Sequence, residues 1–346
     1  MNKSIALLPL VALVAACGGN GSGGNASGSQ IKVVGSSTVY PFTTAIAEEF
    51  QRANPGMSVI VESTGTGAGL KLFCAGVGDK FPDLTNASRR IKASEVEDCA
   101  KNGVKQIVEF PIGIDGLTII ESVKAPPMKL TLRDLYIALA ANPFGKGPNT
   151  AKTWKDVNPT LPATNIRVIG PPPTSGTRDS LNELFIQKGC ETDPAMKALK
   201  ASDSDKHKDI CTKIREDGVF VEGGENDNLL VQKVSNDPTA LGVLGYSFLE
   251  ENGDKVRAVN VDGILPTATT ITDLSYPGAR NIYVYAKGEH FQAKPAIKQF
   301  IAAYAKSTGT GGMLQKRGLV PFGPAEAASS AAQATALKPL DPASIK

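Results

Sequence analysis

The fold is decided by a stretch near the amino end, residues 31–42, whose sequence is IKVVGSSTVYPF. Residues 31–34 have the pattern of a short strand, and residues 35–38 supply a glycine followed by three hydroxyl groups. Pro41 suits the first turn of a helix, and apolar residues then recur at helical spacing as far as Phe50. The stretch therefore predicts a strand, a turn rich in glycine and hydroxyl groups, and a helix.

The same unit recurs twice along the chain. A second strand pattern at 57–62 leads into STGTGAG at 63–69 and then into a helix, and a third at 166–169 leads into GPPPTSGTR at 170–178. Helices alternating with short strands indicate an α/β fold with mixed, mostly parallel sheets. Ligands of such sheets lie beyond the carboxyl ends of the strands, so we expect all three turns at one edge.

These turns carry the chemistry of an oxyanion site. A helix N-terminus presents unpaired N–H groups and partial positive charge, and hydroxyls add donors that can also accept. The candidate ligands are Ser37, Thr38, Thr66, Gly67, Ser88, Arg89, Ser175, Gly176, Thr177 and Arg178. Considered alone, each hydroxyl fits an ordinary helix cap better than a ligand. Considered alone, Arg178 likewise fits a solvated helix residue, or a partner of Asp179 or Asp134, better than a ligand.

Four motifs in this order resemble the signature of the phosphate-binding (PstS-type) proteins of phosphate importers. They are GSSTVYP at 35–41, TGTG at 64–67, ASR at 87–89 and SGTR at 175–178, within a similarity that runs from about residue 31 to 322. The resemblance implies a type II-like periplasmic-binding-protein fold, in which two lobes joined by a hinge of two crossover strands close on the anion. It also implies that main-chain groups, hydroxyls and an arginine at the matching positions hold that anion.

Two positions depart from the family pattern. Better-known members have an aspartate directly after the serine that matches Ser88, where this chain has Arg89, and an arginine where this chain has Pro171. We expect Arg178, together with Arg89, to replace the lost cation. The lost carboxylate has no obvious substitute in the sequence unless Asp83 or Asp115 reaches into the site. Discrimination among phosphate, sulfate and arsenate is left open by these changes.

The amino end predicts export and lipid anchoring. Residues 1–16 have a basic start, a short apolar run and small residues before Cys17, which resembles a lipoprotein cleavage site; an ordinary secretory signal is the alternative. Residues 17–30 are rich in glycine and serine and predict a flexible tether. We therefore expect a protein in the periplasm or at the cell surface, attached to the membrane only through lipid on Cys17.

The rest of the chain divides into two predicted lobes and a tail. Lobe 1 comprises residues 31–116 plus 277–323, lobe 2 comprises residues 117–276, and residues 324–346 are expected to be loosely ordered. The two crossings are expected near residues 113–117 and 276–281, where glycines could absorb the dihedral changes of closure.

Four cysteines remain after Cys17, namely Cys74, Cys99, Cys190 and Cys211. In an exported protein an even number suggests disulfides, and three pairings are possible. Pairing 74 with 99 and 190 with 211 would close a short loop inside each predicted lobe. A zinc site is the rival interpretation, although the spacings lack a C-x₂-C pair.

The remaining features favour a binding protein over an enzyme. The chain has no Gly-x-Ser-x-Gly elbow, no Walker pattern and only two histidines, so we expect no catalysis, no cofactor and no metal. The formal net charge of +3 does not indicate a surface that binds nucleic acid. The expected function is capture of inorganic phosphate by a monomer that delivers it to ABC transporter permease subunits. The alternatives are another tetrahedral oxyanion, or a surface scavenger or sensor without a transport role.

Overall fold

The computed structural model describes residues 30–345 except residue 225. The predicted signal peptide, the lipidation site Cys17 and all of the tether except Gln30 therefore lie outside the described residues. Gln30 itself begins the first strand. In the part of the chain that is described, no helix combines the length and the apolar character needed to cross a bilayer.

The described chain forms eleven strands and fourteen α-helices. The strands are β1 Gln30–Gly35, β2 Ser58–Ser63, β3 Leu84–Ala87, β4 Ile107–Ser122, β5 Lys129–Leu130, β6 Val168–Gly170, β7 Phe220–Glu222, β8 Leu241–Gly245, β9 Val256–Ala258, β10 Asn260–Val261 and β11 Ala279–Lys287. The helices are α1 Tyr40–Ala53, α2 Thr66–Phe73, α3 Ala93–Lys101, α4 Leu132–Leu139, α5 Trp154–Val157, α6 Gly176–Leu181, α7 Gln187–Cys190, α8 Pro194–Ser202, α9 Ser204–Thr212, α10 Asp227–Asn236, α11 Tyr246–Glu251, α12 Ala268–Thr272, α13 Ala296–Ser307 and α14 Pro324–Ala336. A π-helical segment, Asn182–Ile186, joins α6 to α7.

Both lobes are built on mixed sheets that share the long strand β4. The strand order is β2-β1-β3-β11-β4-β8-β6-β7, with β9 also paired to β4. Residues 107–116 of β4 pair with β11, whereas residues 117–121 pair with β8. Outer strands pair in parallel, as β1 does with β2 and β3, and β4 and β11 are antiparallel to their neighbours. The expected α/β fold with two lobes is confirmed, and β4 and β11 are the strands that run between the lobes.

Each lobe has its own apolar core. In the first lobe the predicted apolar face of α1 is buried, and the rings of Phe50 and Phe300 meet edge to face at 5.4 Å. In the second lobe Trp154, Tyr136 and Phe185 are fully buried in one cluster. The boundaries proposed for the lobes from the sequence stay predictions.

The two predicted crossings lie side by side. Ala279 and Asn281 of β11 are aligned with Gly116 and Ile114 of β4, and the N–H of Leu117 donates to the carbonyl of Gly278 at 2.9 Å. Because the crossings are hydrogen-bonded to each other, they form one two-stranded connection between the lobes.

The carboxyl-terminal segment corrects an expectation. We expected residues 324–346 to be loosely ordered, but α14 forms over 324–336, with Pro324 in its first turn. Alanine has the highest helix propensity, and Ser330 and Ala334 are buried on one face of this helix. Beyond it, the N–H of Leu340 donates to the carbonyl of Ile107 at 2.7 Å, so the segment is fastened to the start of β4.

Two disulfides are present, with the pairing that the sequence favoured. Cys74 is bonded to Cys99 and Cys190 to Cys211, across sequence separations of 25 and 21 residues. Loops of this length are worth about 3 kcal/mol each in the chain-entropy account. The pairing also removes these thiols from the rival zinc interpretation, and no cluster of metal-ligating side chains occurs among the described residues.

Candidate anion-binding site

The first and third predicted turns meet at the interface of the lobes. The hydroxyl of Thr38, after β1, donates to the carbonyl of Gly176 at 3.2 Å. The approach is so close that a β-carbon added to Gly176 would lie 2.4 Å from the carbonyl oxygen of Ser37. Ser175 caps α6, since its hydroxyl accepts from the N–H of Thr177 at 3.2 Å. The structure thus brings these predicted ligands together across the interface of the lobes.

The second turn joins the same interface through Ser88. The hydroxyls of Thr66 and Ser88 are 2.9 Å apart, and the N–H of Ser88 donates to the hydroxyl oxygen of Thr66 at 3.0 Å. Ser88 also donates to the carboxylate of Glu183 in the opposite lobe at 3.2 Å. Gly67, in the first turn of α2, lines the same side of the cleft.

Arg280 lies at the centre of this arrangement, and the sequence reasoning missed it. Its Nε is 3.0 Å from a carboxylate oxygen of Asp115, and its Nη1 is bonded to the carboxylate of Glu183. Its Nη2 donates to the hydroxyls of Thr38 at 3.2 Å and Ser180 at 3.0 Å. Burial alone would lower the pKa of Arg280, but Asp115 and Glu183 raise it, so the guanidinium is held as a cation.

Three carboxylates surround that one guanidinium. Ser37 donates to Asp179, Ser88 to Glu183, and Ser180 to Asp115 at 2.8 Å. Asp115 is one of the two aspartates named from the sequence as substitutes for the missing family aspartate. The other, Asp83, is not in the cleft, because its carboxylate is bonded to Nδ1 of His290 at 2.6 Å and to Lys294 at 3.1 Å.

Arg178 does not reach this cluster. Its Nη1 donates to the carbonyl of Pro171 at 2.9 Å, and its guanidinium carbon lies 4.3 Å from the centre of the Phe220 ring. There it lines a separate pocket of about 240 Å³ with Arg215 and Glu222. Burial in these surroundings lowers the pKa of Arg178. The structure therefore separates this predicted ligand from the hydroxyls with which it was grouped.

Arg89 lies at the rim of the cleft and is already paired. Its guanidinium makes two parallel bonds to the carboxylate of Glu95, at 2.9 and 2.7 Å, and its side chain is 35% exposed. A bidentate pair of this kind uses two of the five N–H donors of an arginine and fixes its orientation. Arg89, the residue next to Ser88, is thus part of an internal ion pair.

A signal for the missed residues was present in the sequence. Gly176, Asp179, Ser180 and Glu183 have the spacing i, i+3, i+4 and i+7, which places them on one helical face. Arg178 falls off that face. Arg280 and Asp115 both lie inside the predicted crossings, where a charged residue must face the cleft or pair within the connection.

The cleft opens on both sides of the cluster. One opening, of about 600 Å³, is lined by Ser37, Thr38, Ser175, Gly176, Thr177, Ser180 and Asp115 among others. The other, of about 610 Å³, is lined by Thr66, Gly67, Ser88, Arg89, Glu183 and Arg280 among others. The arrangement offers one buried cation and several hydroxyl donors to a small anion reached from either side.

Comparison with known proteins gives matches over most of the chain. The sequence model of the PBP superfamily domain matches residues 20–306. Protein SphX of Synechococcus elongatus is 34% identical over 307 residues, which cover 86% of this chain and 79% of the relative. The phosphate-binding protein PstS of Staphylococcus saprophyticus is 31% identical over 307 residues, covering 86% of this chain and 82% of that protein.

One solved structure has a similar fold over most of both chains. The crystal structure of a possible phosphate-binding protein from Planctomyces limnophilus superposes with a TM-score of 0.71 at 26% sequence identity. The match covers 89% of this chain and 98% of that one, so both lobes have counterparts.

Proposed function

Because the chain belongs to the PBP superfamily, within the PstS family of phosphate-binding proteins, we propose that it captures inorganic phosphate for an ABC importer. The proposal places the anion between the lobes, at Arg280. The single observation that carries this placement is the buried guanidinium with two hydroxyls, those of Thr38 and Ser180, already within hydrogen-bond distance of it. A buried guanidinium beside hydroxyl groups can stabilise a small oxyanion excluded from water. In this structure the same guanidinium is also paired with Asp115 and Glu183.

The donors would come from both lobes, so binding would favour closure. Lobe 1 contributes the hydroxyls of Ser37, Thr38, Thr66 and Ser88, together with main-chain groups at Gly67. Lobe 2 contributes Ser180 and the start of α6 at residues 175–177. Arg280 takes the role that we predicted for Arg178 and Arg89, since those two side chains are bonded elsewhere.

Selectivity would come from the carboxylates. Asp115 and Glu183, each paired with Arg280, can accept a proton from a ligand oxygen but cannot donate one while ionised. A hydrogen phosphate carries such a proton, whereas sulfate does not, and an unsatisfied acceptor facing a dianion is costly. We therefore expect these acidic side chains to do what the family aspartate does at the position of Arg89.

The wider setting that we propose rests on the amino-terminal sequence and on the family. We propose that the protein is exported, anchored by lipid on Cys17 in the periplasm or at the cell surface, and monomeric. It would present its closed form to permease subunits and catalyse no reaction.

The test is calorimetric titration of the soluble body, from about residue 28 onward and freed of ligand, with phosphate and then with sulfate. The expected result is one phosphate per chain with sub-micromolar affinity and no heat from sulfate. Sulfate binding at similar strength would overturn the selectivity, and no binding of either anion would overturn the function.

A further inference from the structure

The hydroxyls of the cleft already have acceptors, and three of these acceptors are carboxylates. Ser37, Ser88 and Ser180 donate to Asp179, Glu183 and Asp115 respectively. Since these hydroxyls are donors in the proposed anion site, the carboxylate oxygens lie where oxygens of the anion would accept. An incoming anion must therefore share these donors with, or displace, groups of its own charge.

A bound dianion would add to the excess of negative charge in the cluster formed by Arg280 and the three carboxylates. Arg280 is the one guanidinium bonded to the cluster within the described residues, and it faces Asp115 and Glu183 directly. Two like charges about 4 Å apart cost about 4 kcal/mol at an effective dielectric constant near 20. A proton taken up at one carboxylate would remove one such repulsion and supply a donor to the anion.

Asp179 is the carboxylate best placed to take that proton. Asp115 and Glu183 are each bonded to Arg280, whereas no lysine, arginine or histidine in the described ranges forms an ion pair with Asp179. Its carboxylate accepts from Ser37 across the interface of the lobes. Protonation of Asp179 therefore breaks no ion pair.

The surroundings of Asp179 favour its protonated form. Burial raises its pKa; the hydrogen bond from Ser37 opposes this shift, the charge of Glu183 in the π-helical segment after α6 adds to it, and Arg280 and Lys208 oppose it. Lys208 is an exposed residue of α9, and Asp115 on β4 adds another negative charge to the cluster. A dianion beside Asp179 would raise its pKa further.

We propose that the captured anion and Asp179 share one proton, so that anion capture is coupled to proton uptake. The inference rests on the proposed function, since it concerns the same site. It goes beyond that function in assigning Asp179 as the group that couples affinity to pH.

The test measures the dissociation constant of phosphate from about pH 6 to about pH 8, expressed on the concentration of the dianion. Uptake of one proton predicts an affinity for the dianion that rises about tenfold for each unit of decrease in pH. Asp179→Asn supplies an amide donor without a proton from solution, so its affinity for the dianion should not vary with pH. Asp209→Asn, which removes an exposed carboxylate of α9, should keep the wild-type slope.

A second measurement does not depend on any variant folding. Calorimetry of the wild-type protein in buffers of different ionisation enthalpy counts the protons taken up per phosphate bound, after correction for free phosphate. About one proton is expected, and a count of zero would overturn the coupling while leaving phosphate capture established. An unchanged slope in Asp179→Asn would overturn the assignment to Asp179, and failure of wild-type protein to bind phosphate would instead overturn the function.

Discussion

Arg280 and Asp115 are directly opposite each other on the two strands that connect the lobes, with the guanidinium Nε 3.0 Å from the carboxylate. The connection between the lobes and the charged centre of the cleft are therefore made by the same residues. Because Arg280 also reaches Glu183 and Ser180 in the second lobe and Thr38 in the first, it contacts both lobes across the cleft.

Replacing Arg280 with alanine should weaken phosphate binding by at least about 2 kcal/mol, since a charge-assisted contact is lost from a buried site. Arg178→Ala is the matched control, and it should change the affinity less than about threefold, a small fraction of that effect. Titration calorimetry on both variants, with circular dichroism to check folding, measures the difference. The opposite ranking of the two variants would return Arg178 to the site.

A methyl group at Gly176 should hinder closure. The added β-carbon would lie 2.4 Å from the carbonyl oxygen of Ser37 in the other lobe, and the main chain there cannot give way cheaply. We expect Gly176→Ala to weaken phosphate binding at least about tenfold, with little change in melting temperature. Gly253→Ala, where the new atom meets nothing within 4 Å, should bind as the wild type does.

Small-angle scattering supplies the structural readout for this variant. With saturating phosphate the wild-type protein should become more compact, and Gly176→Ala should stay expanded. Equal compaction of both proteins would show that the contact between the turns does not limit closure.

The carboxyl-terminal helix should matter for stability. Ala334 is 4% exposed on the packed face of α14, so Ala334→Asp buries a carboxylate and should lower the free energy of unfolding by several kcal/mol. Ala332→Asp, on the exposed face of the same helix, should change it by less than about 0.5 kcal/mol. Denaturant midpoints of the two variants measure the difference, and equal midpoints would mean that the segment adds nothing to the fold.

Stability should also depend on pH through Lys287. This lysine is fully buried, donates to the carbonyl of Gly76 at 2.6 Å and lies 4.9 Å from the ring of Phe73. Burial lowers its pKa to about 8, from the ordinary value of 10.5. Between those two values the unfolded chain binds more protons than the folded one, so the free energy of unfolding rises with pH across that window.

Lys287→Met should flatten this rise, and Lys316→Met, at an exposed position, should not. Urea unfolding at a series of pH values between about 8 and about 10 measures both slopes. A slope unaffected by Lys287→Met would place the titrating group elsewhere.

The sequence was sufficient for the local parts of this architecture. Each of the three strand, turn and helix units is a contiguous stretch of sequence, and parallel pairing of β1 with β2 places the first two turns at one edge. The closeness of Ser37 to Gly176 depends in addition on how the two lobes face each other, because β1 and β6 are not neighbours in the sheet. The ordered tail could have been predicted as well, because residues 324–336 are rich in alanine and begin with a proline.

The cation at the centre could not be placed in the same way. Arg280 reaches Asp115 only through the register of β11 on β4, which brings together residues 165 positions apart. Arg178 stands beside the Ser-Gly-Thr motif in sequence, yet it projects from another face of α6 and stacks on Phe220. Adjacency in sequence pointed to Arg178, whereas strand pairing puts Arg280 beside the hydroxyls of the cleft.

The most direct test of the central claim is a crystal structure of the protein grown with phosphate. The account predicts one phosphate between the lobes, within hydrogen-bond distance of the Arg280 guanidinium and of the hydroxyls of Thr38 and Ser180. A phosphate bound at Arg178 in the pocket beside Phe220, or a cleft that stays empty at saturating phosphate, would contradict it.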